Sequence, residues 1–340
     1  MPASKSVNPK SIIGIDIGGA NLKYASSEGR ATSSFFPMWK QPDDVASTII
    51  QDVGQYFDVA TLDALAVTIT GELADCFTDR EHGVRHLVQQ ATQAADHLGV
   101  RLIRFYGVDG KLHDAQSAFE QTDQIAAANW HALATFVATE IQSDGLLVDI
   151  GSTTTDIIPI AVGAVETTAK TDHDRLKEGT LVYVGCGRTP VCSLVDCLHF
   201  RGYDVPVMNE WFATMDDAQL LLRIVEEDSN DRDTADGRPR TRSEAANRMA
   251  RMIGLDHRSC SIDEAESLAE QVVVAARRQI SQSMMKFLKG QPIILSGHGQ
   301  NLVDVTDHEV IHLAETLSPS LARCAPAYAV VRIMQTRYPV

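Results

Sequence analysis

Basic residues are too few and too scattered in this sequence to build a polyanion-binding face. Lys and Arg number 30 against 45 Asp and Glu, a formal net charge of −15 over 340 residues. Nucleic acid and anionic membrane surfaces recruit clustered Lys and Arg, so the charge argues against a large surface for either, and no partner of these classes is expected. A small phosphate-bearing ligand is not excluded, because a few local donors hold one phosphate inside an acidic protein. Also missing is any apolar stretch near the ~20 residues that a bilayer-spanning helix requires. The first apolar run, Ile12-Ile13-Gly14-Ile15, is broken by Asp16 and two glycines, and no signal peptide is read before it. Cysteine is sparse: Cys76, Cys186, Cys192, Cys197, Cys260 and Cys324, none in a Cys-x-x-Cys pair. That argues for reduced thiols rather than a disulfide framework, and the expected compartment is the cytoplasm. Hydrophobic residues at 44% and charged residues at 22% are ordinary for a folded chain. Oligomeric state is written in no pattern of the sequence.

Residues 1–10 are polar, with two prolines, and read as a loose tail. Ser11–Ile17 is apolar, β-branched and ended by Gly18-Gly19, which predicts a buried strand. Two further strands are expected over Asn21–Ser26 and Ala31–Trp39, then a helix opened by Pro42-Asp43-Asp44. Strands over Leu65–Thr70 and Leu102–Tyr106 flank a helical spacing at Val84–Leu98. One long Ala-rich helix is expected over Asp123–Ile141, as a connector between lobes. The pattern then restarts: Leu146-Leu147-Val148-Asp149-Ile150-Gly151 repeats the character of Ile13-Gly14-Ile15-Asp16-Ile17-Gly18, with strands expected at Thr155–Ile160 and Ala164–Ala169. The two aspartates stand 133 positions apart. That is about one domain length, unlike the ~20–50-residue period of a solenoid. Duplicated lobes of mixed sheet covered by helices follow. Downstream, Leu181–Gly185 reads as a strand and Trp211–Val225 as a helix. Glu226–Thr241 reads as an exposed polar loop. Helices are expected near Ser243–Ile253, Ile262–Leu288 and Ala325–Gln335, with a buried strand at Pro292–Ser296.

A strand that ends in glycine turns sharply and lets its backbone amides approach a ligand, and consecutive amides around such a turn cradle phosphate oxygens. Asp16-Ile17-Gly18-Gly19-Ala20-Asn21 has this design. A carboxylate beside a phosphate calls for a Mg²⁺ between them. Asp149-Ile150-Gly151-Ser152-Thr153-Thr154 repeats it with hydroxyls in place of a glycine. One copy alone reads equally as a hairpin with a turn Asp; two copies, each after a buried strand, favour phosphate. Ser296-Gly297-His298-Gly299-Gln300-Asn301 is a third small-residue strand end. By itself it is no more than a strand-to-helix turn; in this company it suits a flat ring or base.

Together these three pieces resemble the actin-like ATPase superfamily: sugar kinases, Hsp70 and hydantoinase/oxoprolinase relatives. The resemblance narrows on longer strings. Ile13 to Lys23, Thr70-Gly71-Glu72-Leu73-Ala74-Asp75-Cys76-Phe77 followed by Gly83-Val84, and Asp149 to Ile160 are similar to the small hydantoinase/oxoprolinase-type proteins of tetrahydromethanopterin-linked one-carbon metabolism. So are Gly187-Arg188-Thr189-Pro190-Val191 and Ala235-Asp236-Gly237-Arg238. The match runs from about Ile12 to Ala329. The resemblance implies an α/β fold of two RNase H-like lobes with mixed sheets and a central cleft: 10–140, joined by the C-terminal helix 325–336, and 141–324. It also implies methanofuran-type cofactor biosynthesis. An aminomethylfuran methyl diphosphate is joined to the phenol oxygen of a (γ-glutamyl)tyramine- or tyrosine-like acceptor, and diphosphate leaves. An ATP-dependent small-molecule kinase or a hydantoinase/oxoprolinase-like amidohydrolase is the alternative. A nucleotide-regulated assembly protein is a third possibility.

On this reading Asp16 and Asp149 are metal or metal-water ligands for Mg²⁺. Gly18, Gly19, Asn21, Gly151, Ser152, Thr153 and Thr154 hold phosphate, with Gly297 and Gly299 beside them. ATP is the possible second cofactor. Lys23 and Arg188 neutralise further charge, and Glu72 is the candidate base for the phenol. Glu72 reads equally as a helix-start carboxylate. Asp75 and Asp156 are lesser candidates, and Thr171-Asp172-His173-Asp174-Arg175 is either a family motif or a solvated turn. Cys76 reads best as a structural thiol. His308-Glu309-Val310-Ile311-His312 fits the zinc-protease spacing, but Val310–Ala314 has strand character and no acidic or His residue follows Glu315. His82 and His86 share that spacing without a third partner and read as surface residues.

Overall fold

The computed structural model describes residues 9–338, so most of the polar tail read over 1–10 lies outside the described residues. β1 (Ile12–Ile17), β2 (Asn21–Ser26) and β3 (Ala31–Phe35) form an antiparallel ladder. Helix α1 (Val45–Tyr56), β4 (Ala64–Ile69), helix α2 (Arg80–His97), β5 (Leu102–Tyr106) and β6 (Leu112–His113) follow. The sheet order is β3-β2-β1-β4-β5-β6, with β1, β4 and β5 mutually parallel. Both β1 and β4 are buried at every position. Such strands read as unbroken apolar runs because helices cover both faces of the sheet.

Three short helices come next: α3 (Ala115–Glu120), α4 (Thr122–Ile125) and α5 (Asn129–Glu140). The single long helix expected over Asp123–Ile141 is therefore broken. Ala127 takes a left-handed conformation at φ 48°, and the Ala128 N–H leaves the helix to donate to the Ile69 carbonyl at 3.3 Å. Alanine content gave no warning, because helix propensity yields to a tertiary hydrogen bond.

β7 (Gly145–Ile150), β8 (Thr155–Ala161), β9 (Ala164–Val165), α6 (Asp172–Glu178) and β10 (Leu181–Val182) restart the pattern. The hairpin β11 (Cys197–Phe200) and β12 (Tyr203–Pro206) precedes α7 (Met215–Leu221), α8 (Arg242–Arg251) and α9 (Ile262–Met284). Then come β13 (Ile293–Gly297), β14 (Val310–His312), α10 (Leu313–Thr316), α11 (Pro319–Arg323) and α12 (Ala325–Arg337). The second sheet runs β10-β8-β7-β13-β14, with β9 on β8. The helix expected over Trp211–Val225 shrinks to α7, because a Thr214–Asp217 capping box starts it late and Arg223, at φ 57°, ends it.

Contacts divide the chain into two units. One holds residues through Leu147, Ile158–Asp174 and the chain from His312; the other holds Val148–Ile157 and Arg175–Ile311. In the first unit α12 packs on β1, where a Cβ on Gly14 would come within 1.9 Å of the Ala327 carbonyl oxygen. Glycine there is what lets the helix lie on the strand. In the second unit the polar stretch 226–241 is exposed or half-buried throughout, as expected of an exposed loop, and it is also pinned. Asp236 pairs with Arg248 at 3.1 Å and with Arg251 at 3.2 Å, and Arg248, buried, also donates to the buried Asp217 at 2.8 Å.

α9, at 23 residues, is the longest helix among the described residues, and it starts in a capping box. The Ser261 hydroxyl accepts from the Glu264 N–H at 3.3 Å, and Glu264 reaches back to the Ser261 N–H at 2.9 Å. Ser261→Ala is expected to lower unfolding free energy by about 1 kcal/mol, measured as a shift in the urea midpoint. The Glu264–Arg201 pair at 2.8 Å would remain and limit the loss.

No helix among the described residues is long and apolar enough to cross a membrane.

Candidate active site

In the first unit the glycine turn forms where β1 ends. The Gly18 N–H donates to the Asn21 carbonyl at 3.0 Å, closing the turn, and the Gly19 and Ala20 carbonyls accept from Met38 and Phe36 at 3.0 and 2.9 Å. A Cβ on Gly18 would lie 2.9 Å from the Asn21 oxygen, and one on Gly71 would lie 3.0 Å from the Gly18 oxygen. The end of β4 is thus seated directly against the turn. The Asn21 side chain is exposed, and its main chain does the closing.

Asp16 is buried on β1, opposite Lys23 of β2. Burial pushes its pKa up, while the Lys23 ammonium and the Thr70 hydroxyl, 3.4 Å from Oδ1, pull it down. A nearby dication would offset that burial penalty.

Glu72, only 1% exposed, follows β4. Its Oε2 is buried and has no hydrogen-bond partner among the described residues. Burial raises its pKa to about 7, helped by the charge of Asp172. Its own N–H, Arg80 and the Ala127 N–H act in the other direction. The break in the Ala-rich stretch therefore has a local consequence: the left-handed residue turns a main-chain donor toward this carboxyl. The helix-start role considered for Glu72 belongs instead to Asp79, whose Oδ1 accepts from the His82 N–H at 2.8 Å at the start of α2. Gly83 lets that helix approach, since a Cβ there would sit 2.2 Å from the Glu72 carbonyl oxygen.

In the second unit three backbone segments converge on the end of β7. The Gly151 N–H donates to Thr154 O at 2.9 Å, closing the second turn. Cys186 N–H donates to Gly151 O at 2.9 Å, and Gly187 and Arg188 N–H both donate to Ser152 O, at 3.0 and 2.8 Å. His298 and Gly299 N–H share the Ile150 carbonyl at 2.9 and 3.1 Å. Close approach requires glycine at each contact. A Cβ would meet Thr153 N at 2.5 Å from Gly185, Ser152 Oγ at 2.5 Å from Gly187, Ile150 O at 2.2 Å from Gly297 and Ile150 Cγ2 at 2.3 Å from Gly299.

Ser152 and Arg188 are exposed at this turn; Gly151, Thr153, Thr154 and Asp149 are half-buried. Cys186 sits within it, but burial, with Asp216 and Asp149 nearby, pushes its thiol up to about 11, so it is no thiolate at neutral pH. The arrangement offers hydroxyls and a guanidinium, a set suited to holding phosphate oxygens. The amide cradle expected of the glycine turns is not what the main chain provides: the Gly18, Gly151 and Gly299 N–H groups donate to carbonyls of the protein.

Among the lesser candidates, Asp75 is exposed. Asp156 is committed to Arg175 at 2.6 Å, which corrects its standing as a catalytic candidate. In the 171–175 stretch His173 and Asp174 are exposed, whereas Arg175 is buried and also donates to Thr180 O at 2.9 Å. Cys76 is half-buried and donates to Met38 O at 3.4 Å. His312 lies on strand β14, as its sequence context implied. His82 bonds Thr78 at 3.2 Å, and His86 bonds the Pro42 carbonyl at 3.0 Å.

Sequence reasoning missed Gly185, Ala127 and Asp216, and it quoted Thr189 within the Gly187–Val191 string without giving it a role. Thr189 accepts the Gly185 N–H at 2.8 Å; Gly185 lies two residues before that string, while Ala127 and Asp216 carry no pattern of their own. Among the described residues no three or more His, Cys, Asp or Glu are grouped to hold a metal alone. The donors present fit Mg²⁺ held through one or two carboxylates, with waters and phosphate completing its shell, rather than an all-protein cage.

A family model described as Hydantoinase/oxoprolinase matches residues 63–298. The chain is 31% identical over 332 residues to the (4-{4-[2-(gamma-L-glutamylamino)ethyl]phenoxymethyl}furan-2-yl)methanamine synthase of Methanocaldococcus jannaschii, covering 95% of this chain and 97% of that one. It is 29% identical over 208 residues to the protein of the same name from Methanococcus vannielii, covering 58% of this chain and 93% of the relative. A nucleotide-free acetone carboxylase structure superposes with a TM-score of 0.53 at 9% identity, covering 94% of this chain and 70% of that one. At such identity the likeness speaks to fold alone. The architecture is mixed α/β, built on two mixed sheets.

Proposed function

Because the chain belongs to the hydantoinase/oxoprolinase family, we propose that it is a transferase of methanofuran-type cofactor biosynthesis, serving tetrahydromethanopterin-linked one-carbon metabolism. It joins an aminomethylfuran methyl diphosphate to the phenol oxygen of a (γ-glutamyl)tyramine- or tyrosine-like acceptor. The observation that carries this reading is the 31% identity to the archaeal synthase along 95% of the chain.

The reaction makes two demands. The phenol oxygen forms a bond to the furfuryl carbon while the carbon–diphosphate bond breaks, and diphosphate departs with that electron pair. The furan oxygen stabilises the positive charge that develops. The phenol proton passes to Glu72 of the first unit, whose pKa near 7 suits a general base at neutral pH. In the second unit, Ser152, Thr153, Thr154 and Arg188 bind the diphosphate and stabilise its growing charge, which contributes most to lowering the barrier of such a departure. Mg²⁺, when bound, would supply further neutralisation of the phosphates; Asp149, beside the turn of the second unit, is the carboxylate that would hold it or its waters there. Lys23 lies opposite Asp16 and adds positive charge there.

Purified protein, the synthetic furan diphosphate, a tyramine-type phenol and Mg²⁺ are expected to yield the ether and one equivalent of diphosphate with no nucleotide present. Chelation of Mg²⁺ by EDTA is expected to abolish diphosphate release. Turnover that appears only when ATP is added would overturn the reading in favour of an ATP-dependent kinase or amidohydrolase.

A further inference from the structure

We propose that Arg240, in the polar segment between α7 and α8, is a positioning residue for the phosphate-binding turn of the second unit, acting through Asp216 and the main chain of Gly187. The inference rests on the reading that this turn holds the diphosphate.

Arg240 is anchored at both ends. Its main chain is fixed within its own segment: its N–H donates to Asp231 O, and its carbonyl accepts from Asp228 N–H, both at 2.9 Å. Its guanidinium forks onto one carboxylate, Nε to Asp216 Oδ2 at 2.6 Å and Nη2 to Oδ1 at 2.7 Å, while Nη1 donates to Glu226 O at 2.9 Å. Asp216 stands in the first turn of α7. Its N–H donates to Gly187 O at 3.0 Å, and the preceding Met215 N–H donates to Thr189 O at 2.9 Å. Gly187 and Arg188 in turn donate to Ser152 O. A series of short bonds thus runs from the guanidinium to the hydroxyl-bearing turn, and it bears on the residue that aims Arg188. A bidentate Arg–carboxylate pair fixes direction as well as distance.

Stability does not by itself account for where this pair sits. Arg240 and Asp216 are 20% and 27% exposed, so contact with solvent weakens the pair, although its bidentate geometry leaves it some share in folding. The start of α7 is also held independently, since the adjacent Asp217 is bound by Arg248. Loss of Arg240 therefore leaves the helix folded and frees the loop it steadies.

The test uses the full chain with Arg240→Met, Arg240→Lys and Asp216→Asn. Calorimetry measures inorganic pyrophosphate binding with Mg²⁺, and steady-state rates give KM for each substrate. Arg240→Met is expected to raise the pyrophosphate Kd and the KM for the furan diphosphate by about tenfold, the scale of one charge-assisted bond. The KM for the phenol is expected to stay in place, with at most a small shift in the unfolding midpoint. Arg240→Lys recovers part of the loss, because an ammonium cannot reproduce the fork. Wild-type protein that binds pyrophosphate while all three variants bind it equally overturns the proposal. Should Arg240→Met fail to fold, Arg240→Lys decides, and wild-type affinity in that variant overturns it. Wild-type protein that binds no pyrophosphate removes the reading of the turn itself, and this inference with it.

Discussion

Glu72→Gln is expected to lower kcat by about 10²–10⁴-fold, the range for losing a general base, while raising stability at alkaline pH. Both effects come from one cause. The carboxyl is buried, with its Oε2 unpartnered, and burial lifts its pKa from 4.5 to about 7. As a base it works only when ionised, so wild-type kcat/KM should rise with pH through about 7, and the variant should lose that limb.

Stability runs the opposite way. Below pH 4.5 the group is protonated in both folded and unfolded chains and has no pH-dependent effect. Between pH 4.5 and about 7 the unfolded chain ionises first, so stability falls as pH rises, and above that window the penalty is complete. At about 1.4 kcal/mol per pKa unit, it is on the order of 3 kcal/mol. Urea unfolding of both proteins at about pH 4 and about pH 8.5, on either side of the window, measures it: the variant should be the more stable at the higher pH alone. Asp172, Arg80 and the main-chain N–H groups of Glu72 and Ala127 also act on the group, and the substitution leaves all of them in place. A variant with wild-type kcat and an unchanged pH profile would remove Glu72 from the mechanism.

Gly297→Ala is expected to cost about 3–5 kcal/mol, combining a left-handed backbone forced on a side chain with overpacking of a rigid contact. Gly297 has φ 80°, and its added Cβ would fall 2.2 Å from the Ile150 oxygen and 2.6 Å from the Ile150 carbonyl carbon. That carbonyl already accepts from His298 and Gly299, so pushing it aside breaks both bonds and displaces the strand end that carries Asp149 and Gly151. Pyrophosphate binding should be lost in whatever fraction remains folded. Gly202→Ala is the control. Its φ is 85° and nothing lies within 4 Å of its added Cβ, so only the backbone cost of about 1–2 kcal/mol applies. Equal losses in the two variants, by urea denaturation, would show that the approach of Gly297 to Ile150 carries no weight.

The sequence was legible where a residue's neighbours in space are also its neighbours in the chain. The apolar runs Ile12–Ile17, Ala64–Ile69 and Gly145–Ile150 are strands, and the Asp-Ile-Gly strings end the first and third of these. Val310–His312 is a strand despite its protease-like spacing. Legibility failed where distant groups decide. Nothing within Asp123–Ile141 announces that the Ala128 N–H bonds Ile69 or that Ala127 turns left-handed. The stretch 226–241 is exposed as read, but its ion pairs were not legible, because the partners Asp216, Arg248 and Arg251 lie outside the segment.

By itself the sequence determined the two glycine-ended strands, their aspartates and the hydroxyl-bearing second turn. These follow from side-chain chemistry and local backbone freedom, which each residue carries wherever it is placed. Only the tertiary structure decided that Glu72 is buried with an unpartnered oxygen, that Asp79 rather than Glu72 caps α2, that Asp156 is tied to Arg175 and that Arg240 grips Asp216. Burial and ion pairing depend on which surfaces the fold brings together, and the strength of a charge depends on the water that folding removes around it.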